Sequence, residues 1–345
     1  MYKKIIKPLL FKISIEQAHS IMVWALRILG AIPGVKAFMR MRFRVEGGGS
    51  LHRDVFGINF SNPIGLAAGF DTSADIVEEA EALGFGFVEV GAITPLPQVG
   101  NPKPRLFALE EDRALINRMG QPNKGLKYAV KNLRKQRSKD IVVGCNIARN
   151  SFSPVADHPK EYLQIFRTLY QYVDYFTVNV ISSSSATDGV VFEEEALRRV
   201  VDPLFEFRRG QSDYRPILVK ISADLSDEQI DAVTDIMIDT PLDGVVAVSG
   251  SLRREGLQSS PSTITRIGSG RLSGAPIKER ALEVVRRVHE RSQGAYPIIG
   301  VGGVMSPEDA HAMLDAGASL VQIYSGLVYE GADLVKNIRK SLIKE

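Results

Sequence analysis

Short apolar runs alternate with longer amphipathic stretches from residue 62 to the end of the chain. The runs are rich in β-branched residues and bounded by turn residues, which is typical of parallel strands buried on both faces. There are eight of them, at residues 63–68, 86–91, 141–146, 175–180, 216–221, 244–249, 297–303 and 320–326. The pattern predicts an α/β fold in which eight strands, each followed by a helix, close into a (β/α)8 TIM barrel. An open doubly wound sheet is the alternative.

Residues 1–45 follow a helical pattern instead and are expected to form a small N-terminal helical module, with the barrel over residues 46–345. Ser14 and Gln17 form a capping-box pair, and Pro33 with Gly34 ends the helix that they begin. The apolar positions of this helix recur at helical spacing, at Ala18, Ile21, Met22, Ala25, Leu26 and Leu29. A shorter amphipathic helix is expected around Pro8. A polar stretch over residues 46–53, with three consecutive glycines, separates the module from the barrel.

Charge is distributed unevenly between these two parts. Residues 1–45 carry nine basic side chains and one acidic one, a net charge of +8, so the remainder carries −5 of the overall +3. A cationic amphipathic module, with Trp24, Phe11 and Phe38 as inserting residues, is suited to the surface of an anionic membrane. The other interpretation is that the helices pack on the barrel with their lysines solvated.

Several classes of protein are disfavoured by the sequence. Neither a signal peptide nor a membrane span is expected, because Arg27 interrupts the longest apolar stretch. The excess of basic over acidic residues lies outside the main domain, so no nucleic-acid partner is predicted. Cys145 is the only cysteine, and no spacing of cysteine and histidine resembles a metal site. The five histidines, His19, His52, His158, His289 and His311, are dispersed and are interpreted as surface or packing residues.

Polar residues and glycines stand at the carboxyl ends of the predicted strands, where barrels place their chemistry. They are Gly69, Asp71, Thr94, Asn146, Asn179, Ser182, Lys220, Ser249, Gly302, Gly303, Tyr324 and Ser325. Individually, such residues also terminate strands by bonding the backbone, but at eight successive strand ends they predict one polar mouth.

A phosphate site is expected between the last two strands. Gly302 and Gly303 end the seventh strand and allow backbone N–H groups to approach an anion, as in barrel phosphate sites. Ser306 is expected to cap the following helix, with Asp309 closing a capping box. Tyr324, Ser325 and Gly326 stand at the matching place after the eighth strand.

Together with these features, five motifs make the chain resemble the class 2, quinone-linked dihydroorotate dehydrogenases along its full length. They are residues 62–69 (Asn-Pro-Ile-Gly-Leu-Ala-Ala-Gly), 101–105 (Asn-Pro-Lys-Pro-Arg), 116–120 (Ile-Asn-Arg-Met-Gly), 272–274 (Leu-Ser-Gly) and 321–326 (Val-Gln-Ile-Tyr-Ser-Gly). The resemblance implies FMN as cofactor and oxidation of (S)-dihydroorotate to orotate in pyrimidine biosynthesis, with a membrane quinone as electron acceptor. It also implies a monomer held peripherally on the cytoplasmic side of the cell membrane, its N-terminal helices forming the quinone entry.

The resemblance also assigns roles to residues. Ser182 takes the place of the base that removes a proton beside a carbonyl, and Lys220 stabilises negative charge on the flavin. The cofactor-binding positions are Ala68, Gly69, Asn146, Asn179, Lys220, Gly274, Gly302, Gly303, Tyr324 and Ser325. The substrate-binding positions are Asn117, Arg118, Met119, Gly120 and Asn179.

The chain departs from the family pattern around the mouth. Thr72 replaces a lysine, Ala92 a threonine, Ala148 a glycine and Ser184 an asparagine. Further replacements are Gln121 and Pro122 in the substrate loop, and Val248, Ser249 and Gly250 after the sixth strand. The alternatives are therefore a catalytically impaired or inactive flavin-binding relative with a remodelled substrate site, and a noncatalytic scaffold without FMN.

Overall fold

Eight parallel strands close into a barrel, which confirms the predicted fold. The computed structural model describes residues 2–136, 138, 140–179 and 194–343. Its strands are β1 (Arg53–Val55), β2 (Ile58–Phe60), β3 (Ile64–Leu66), β4 (Phe87–Ile93), β5 (Leu106–Leu109), β6 (Ala114–Asn117), β7 (Val142–Ile147), β8 (Tyr175–Val178), β9 (Ile217–Ser222), β10 (Gly244–Ser249), β11 (Arg271–Gly274), β12 (Ile298–Val301) and β13 (Leu320–Ile323). The order around the barrel is β3-β4-β7-β8-β9-β10-β12-β13, closing back on β3.

Three helices precede the barrel, and the other described helices follow its strands. They are α1 (Lys7–Leu10), α2 (Ile15–Ala31), α3 (Val35–Phe43), α4 (Val77–Ala82), α5 (Leu126–Leu133), α6 (His158–Leu169), α7 (Glu194–Arg209), α8 (Asp227–Asp239), α9 (Pro261–Ile267), α10 (Lys278–Arg291), α11 (Pro307–Asp315), α12 (Ser325–Glu330) and α13 (Asp333–Ile343). Single turns of other helix types lie at Tyr2–Ile6, Gly48–Leu51, Val155–Asp157 and Ala275–Ile277.

The interior of the barrel is filled in layers. One buried apolar cluster draws on seven of the eight barrel strands and on Ala67, just after β3, and it includes Phe87, Tyr175 and Leu218 near the amino ends of their strands. Side chains two residues apart on a strand share a face, so the next layer towards the mouth contains Glu89, Thr177 and Lys220. The barrel thus has an apolar base and a polar layer directly under its mouth.

Two small antiparallel sheets were not predicted from the sequence. A hairpin of β1 and β2 contributes Val55 and Phe60 to the apolar base. At the mouth, β5, β6 and β11 form a three-stranded sheet in which Arg271 pairs with Asn117. The strands of these sheets stand outside the alternation of apolar runs and amphipathic stretches on which the prediction rests.

The N-terminal module packs on the barrel through one face of α2. Ser14 caps this helix as predicted, since its Oγ accepts from Gln17 N while Gln17 bonds back to Ser14 N. Ile15, Ala18 and Gly30 are buried. Phe11 packs on the ring of Tyr329 at 5.6 Å between ring centroids, so it does not belong to an exposed inserting face. The side chains that remain exposed on the module include Ile5, Leu9, Ile21, Trp24, Ile28, Leu29, Ile32, Phe38 and Met41.

In the described part of the chain, no single helix is long and apolar enough to cross a bilayer; α2 and α3 satisfy that test only jointly, as a pair bent by 111°.

Ion pairs also fasten the module to the barrel. The buried carboxylate of Asp75 lies 2.9 Å from Arg27 of α2 and 2.8 Å from Lys124. It also accepts hydrogen bonds from the Tyr128 hydroxyl and from Asn132 Nδ2. A carboxylate with this many partners holds its neighbours in one arrangement.

Neutralising that carboxylate is expected to weaken the fold measurably. Asp75→Asn leaves the cations of Arg27 and Lys124 without their anionic partner. We expect the free energy of unfolding to fall by about 2 kcal/mol. This loss is smaller than that for breaking a fully buried ion pair, because the two cations are about half exposed. Urea unfolding measures this change. In the control Asp333→Asn, whose pair with Arg42 is about half exposed on both sides, the loss should stay under about 0.5 kcal/mol. Equal losses in the two variants would contradict the role given to Asp75.

Candidate active site

One large cavity occupies the mouth of the barrel. Its volume is about 1210 Å³, and it extends from strand ends such as Asn146 and Lys220 to Glu16, His19 and Trp24 of α2. Ligand pockets usually measure roughly 300–1,000 Å³, so this cavity has room for more than one small molecule. Every described residue that the sequence analysis assigned to cofactor or substrate lines it. Ser182 and Ser184 lie outside the described residues.

The two glycine-containing loops of the predicted phosphate site lie side by side. A Cβ placed on Gly326 would lie 2.2 Å from the carbonyl oxygen of Val304, so the turn after β13 touches the turn after β12. Gly303 has φ +73°, and a Cβ there would lie 2.5 Å from Lys278 Cβ and 2.6 Å from Lys278 Cα. The loops can approach each other this closely only because these positions lack side chains.

Side chains around this pair of loops complete its walls. Ser306 caps α11 as predicted, its Oγ accepting from Asp309 N at 3.2 Å. The predicted capping box is not formed, because Asp309 Oδ2 accepts from Met305 N at 2.9 Å. Ser325 Oγ lies 2.9 Å from Ser273 Oγ, which joins β11 to the same site. The result is a cradle of backbone amides and hydroxyls of the kind that binds phosphate.

The floor of the cavity is polar and partly buried. Asn179 Nδ2 donates to Asn146 Oδ1 at 3.2 Å, and Asn146 Nδ2 donates to Glu89 Oε1 at 2.9 Å. Gln322 Nε2 donates to Glu89 Oε2 at 2.8 Å. Within the described part of the chain, Gln322 Oε1 and Thr177 Oγ1 are buried without a hydrogen-bond partner. Sequence analysis missed Glu89 and Gln322, although a charged or amide residue inside an apolar strand is itself a signal.

Lys220 is the cation of this floor. Among the described residues its Nζ forms no hydrogen bond or ion pair, and it faces the cavity. Burial lowers the pKa of Lys220 from the ordinary lysine value, and the charge of Glu89 opposes that shift. An unpaired ammonium in a poorly solvated site favours a ligand that carries or develops negative charge beside it.

The predicted substrate loop follows β6. Asn117 Oδ1 accepts from Met119 N at 2.7 Å, which shapes the turn and leaves the amide Nδ2 for other partners. The Arg118 guanidinium donates to the carbonyls of Ser269 and Pro104 at 2.9 and 3.1 Å and lies over the ring of Phe107. Arg118 therefore contributes to the cavity wall mainly by fixing this loop.

The residues that depart from the family pattern also line the cavity. They are Thr72, Ala92, Gln121, Pro122, Ala148, Val248, Ser249 and Gly250. Arg271 lines the cavity too and pairs with Asp224 at 3.2 Å. Burial lowers the pKa of Arg271. The positions at which the chain departs from the family pattern thus line the same cavity as the glycine loops, which keep that pattern.

The outer end of the cavity lies between α2 and the barrel. His19 Nε2 lies 2.8 Å from the carbonyl oxygen of Phe70, and its ring packs edge-on against the Phe70 ring. Burial lowers the pKa of His19, which favours its neutral form. Glu16 pairs with Arg105 at 2.7 Å and with Lys103 at 3.3 Å. The floor of the cavity is therefore formed by polar side chains at the ends of the barrel strands, and its outer wall by side chains of α2.

A family model described as dihydroorotate dehydrogenase matches residues 50–345. The chain belongs to the dihydroorotate dehydrogenase family. It is 41% identical over 345 residues to the dihydroorotate dehydrogenase (quinone) of Christiangramia forsetii, covering 100% of this chain and 99% of the relative. It is 42% identical to the dihydroorotate dehydrogenase (quinone) of Thermobifida fusca, covering 96% of this chain and 89% of the relative. These matches place it in the class 2, quinone-linked branch of the family.

Solved structures agree with this membership. A crystal structure of DHODH from Eimeria tenella in complex with ferulenol superposes with a TM-score of 0.84 at 28% identity, covering 95% of this chain and 90% of that one. A ligand-free structure from the same organism gives the same score, with coverage of 95% and 93%. The barrel and the N-terminal helices of this family member are therefore both parts of the shared architecture.

Proposed function

We propose that the protein is an FMN-dependent dihydroorotate dehydrogenase that passes electrons to a membrane quinone. The observation that carries the proposal is one cavity that is lined by the glycine loops after β12 and β13, by the substrate loop after β6 and by Lys220. Among the described residues Lys220 has no hydrogen-bond or ion-pair partner. Family membership supplies the reaction, the oxidation of dihydroorotate to orotate.

The residues present fit a flavin mononucleotide. Gly302 and Gly303 have positive φ angles and pack so closely against Ala281 and Lys278 that no Cβ fits, which leaves backbone amides, without side chains, to face the phosphate. At the other end of the site, Asn146, Asn179 and Lys220 offer donors and an acceptor for the polar edge of a ring. The remaining cofactor positions proposed here are Ala68, Gly69, Gly274, Tyr324 and Ser325, all on the cavity wall.

Bound FMN would supply a two-electron acceptor for the hydride of the substrate. Lys220 would stabilise negative charge on the ring, and Asn117 with Asn179 would orient the substrate through its amide and carboxylate edges. Ser182 is proposed as the base that accepts the proton from the carbon next to the carbonyl. The turn formed by Met119 and Gly120 would exclude water above the substrate.

The quinone is proposed to enter at the outer end of the cavity, beside His19 and Arg105. Residues 1–45 would then form the quinone- and membrane-facing module, and residues 46–345 the FMN-binding barrel. The exposed apolar residues of α2 and α3 support a peripheral position on the cytoplasmic face of the cell membrane. The protein is proposed to act as a monomer, as the resemblance to the quinone-linked family implies.

Steady-state turnover tests the proposal. Protein reconstituted with FMN is supplied with dihydroorotate and a short-chain quinone, and orotate formation and quinone reduction are followed together. Equal amounts of orotate and reduced quinone are expected. Orotate formation only with a non-quinone acceptor would contradict the quinone assignment, and FMN binding without any orotate would favour the inactive relative.

Membrane contact through α2 can be tested with vesicles of anionic phospholipid. Trp24 is 64% exposed, and we expect Trp24→Ser to weaken vesicle binding by about tenfold, the effect of withdrawing one large apolar side chain from the lipid. Co-sedimentation measures this change. Ile238→Ser is the control, since Ile238 is 52% exposed on α8, across the barrel from the module, and should leave binding unchanged. Equal binding by both variants and the wild type would contradict the orientation.

A further inference from the structure

A buried carboxylate lies beneath the proposed flavin site, and it is not one of the groups proposed to contact FMN or the substrate. Glu89, on β4, has no exposed surface, and both of its oxygens accept hydrogen bonds. A third donor, the Tyr175 hydroxyl, lies 3.4 Å from Oε2. Burial, together with the charge of Glu89, raises the pKa of Tyr175, so that hydroxyl remains a donor. Burying a carboxylate is costly, and three converging donors offset that cost.

The packing below fixes where these donors point. A Cβ on Gly144 would lie 2.0 Å from the Tyr175 ring, so only glycine on β7 admits that ring at the barrel centre. The ring in turn brings its hydroxyl up to Glu89. Asn146 follows Gly144 by two residues on the same inward face, which places its amide beside the carboxylate.

The carboxylate determines the orientation of two amides. Glu89 Oε1 accepts from Asn146 Nδ2 at 2.9 Å, which fixes the amide of Asn146 with its Nδ2 towards the carboxylate. Its Oδ1 is then directed to Asn179 and accepts from Asn179 Nδ2 at 3.2 Å. Asn179 is consequently held with its own Oδ1 available as an acceptor. Glu89, which lies below the cavity floor, thus determines which amide atoms of Asn146 and Asn179 donate and which accept hydrogen bonds there.

We propose that Glu89 is a positioning residue whose carboxylate, through Asn146, fixes the donor and acceptor pattern that Asn146 and Asn179 present to a ring edge bearing adjacent C=O and N–H groups. This inference rests on the proposed flavin function, since the ring edge is taken to be that of FMN. Glu89 itself touches neither cofactor nor substrate; it acts on them through the two amides.

Two conservative variants separate the acceptor of Glu89 from its charge. Glu89→Asp keeps the charge but withdraws the acceptor from Asn146 by one CH₂. Glu89→Gln removes the charge but keeps an oxygen facing Asn146. The NH₂ group of the introduced glutamine can be directed to Gln322 Oε1, which is buried without a partner among the described residues. Tyr175→Phe is the control, since it removes only the 3.4 Å contact and leaves the Asn146 contact intact.

The FMN dissociation constant is measured by flavin fluorescence on diluting each holoprotein, with the visible absorption band of bound flavin as a second readout. We expect Glu89→Asp to raise the dissociation constant about tenfold or more and to shift the band, as one unsatisfied buried donor would. Glu89→Gln and Tyr175→Phe should stay within about threefold of the wild type.

Equal loss in Glu89→Asp and Glu89→Gln, greater loss in Glu89→Gln, or no loss in either would each overturn the proposal. Thermal melting of each apoprotein shows whether a weakened variant is still folded, and Glu89→Gln is nearly isosteric with the wild type. Failure of the wild-type protein itself to bind FMN would count against the proposed function and not against Glu89 alone.

Discussion

Gly303→Ala is expected to raise the FMN dissociation constant about 100-fold, because the new Cβ adds steric overlap to an unfavourable backbone conformation. Gly303 has φ +73°, and the added atom would lie within 2.6 Å of the backbone Cα of Lys278. That backbone begins α10 and cannot give way as the end of a flexible side chain would. The loop must therefore shift, and with it the amides proposed to hold the phosphate. Titration of the apoprotein with FMN measures the change.

Gly256→Ala is the matched control for this substitution. Gly256 has φ +77°, nearly the same backbone strain, but no atom lies within 4 Å of an added Cβ. We expect its FMN affinity to equal that of the wild type, although both variants carry a similar penalty in stability. If Gly303→Ala bound FMN as tightly as Gly256→Ala, the phosphate would have to be held elsewhere.

Lys220→Met is expected to lower the rate constant for reduction of bound flavin by dihydroorotate by roughly 100-fold to 1,000-fold, the usual effect of removing one group that stabilises developing charge. Methionine has a comparable length and fills the same space, so the barrel should remain folded. Stopped-flow absorbance under anaerobic conditions measures the rate constant directly, without contributions from quinone reduction.

The control for charge is Lys124→Met. Lys124 also lines the cavity, but its ammonium lies 2.8 Å from Asp75, which already neutralises it. We expect less than a threefold effect on the reduction rate constant, on the order of what screened surface charges produce. A loss of similar size in both variants would mean that overall charge, and not Lys220 in its position, governs the rate.

The pH dependence of reduction gives an independent check on Lys220. Burial lowers the pKa of this lysine, so its positive charge is lost at a lower pH than that of a solvated lysine. The rate constant of the wild type should therefore fall as the pH rises towards the alkaline range. Lys220→Met should lack this alkaline decline, because it has no charge to lose.

The barrel could be predicted from the sequence because its strands are buried on both faces. Runs such as residues 141–146 and 216–221 correspond to β7 and β9 within one residue at each end. Such strands can be recognised from their own residues, because a strand buried on both faces is apolar whichever strand it pairs with. In the sheet of β5, β6 and β11, the pairing of β11 with β6 was missed because it joins segments more than 150 residues apart. The local hairpin of β5 and β6 was missed because it stands outside the alternation of strand and helix on which the prediction rests.

The site was predictable to the extent that its residues stand at strand ends. The glycine loops and Lys220 were found in this way, and they line one cavity. The hydrogen bonds of Glu89 to Asn146 and Gln322 span 57 and 233 residues of sequence, so no spacing rule could connect them. The role of Asp309 was misassigned by one residue: its carboxylate accepts from Met305 N and not from the N–H of the cap residue Ser306, a distinction that sequence spacing does not make.

One cavity is proposed to hold FMN between the loops after β12 and β13 and to present it to dihydroorotate above Lys220. The absorbance spectrum of the FMN-reconstituted protein under anaerobic conditions, recorded before and after dihydroorotate is added, tests this most directly. A bound-flavin spectrum that bleaches on addition of dihydroorotate is predicted. A flavin spectrum that is unchanged at millimolar dihydroorotate, or no retention of FMN at all, would contradict the account.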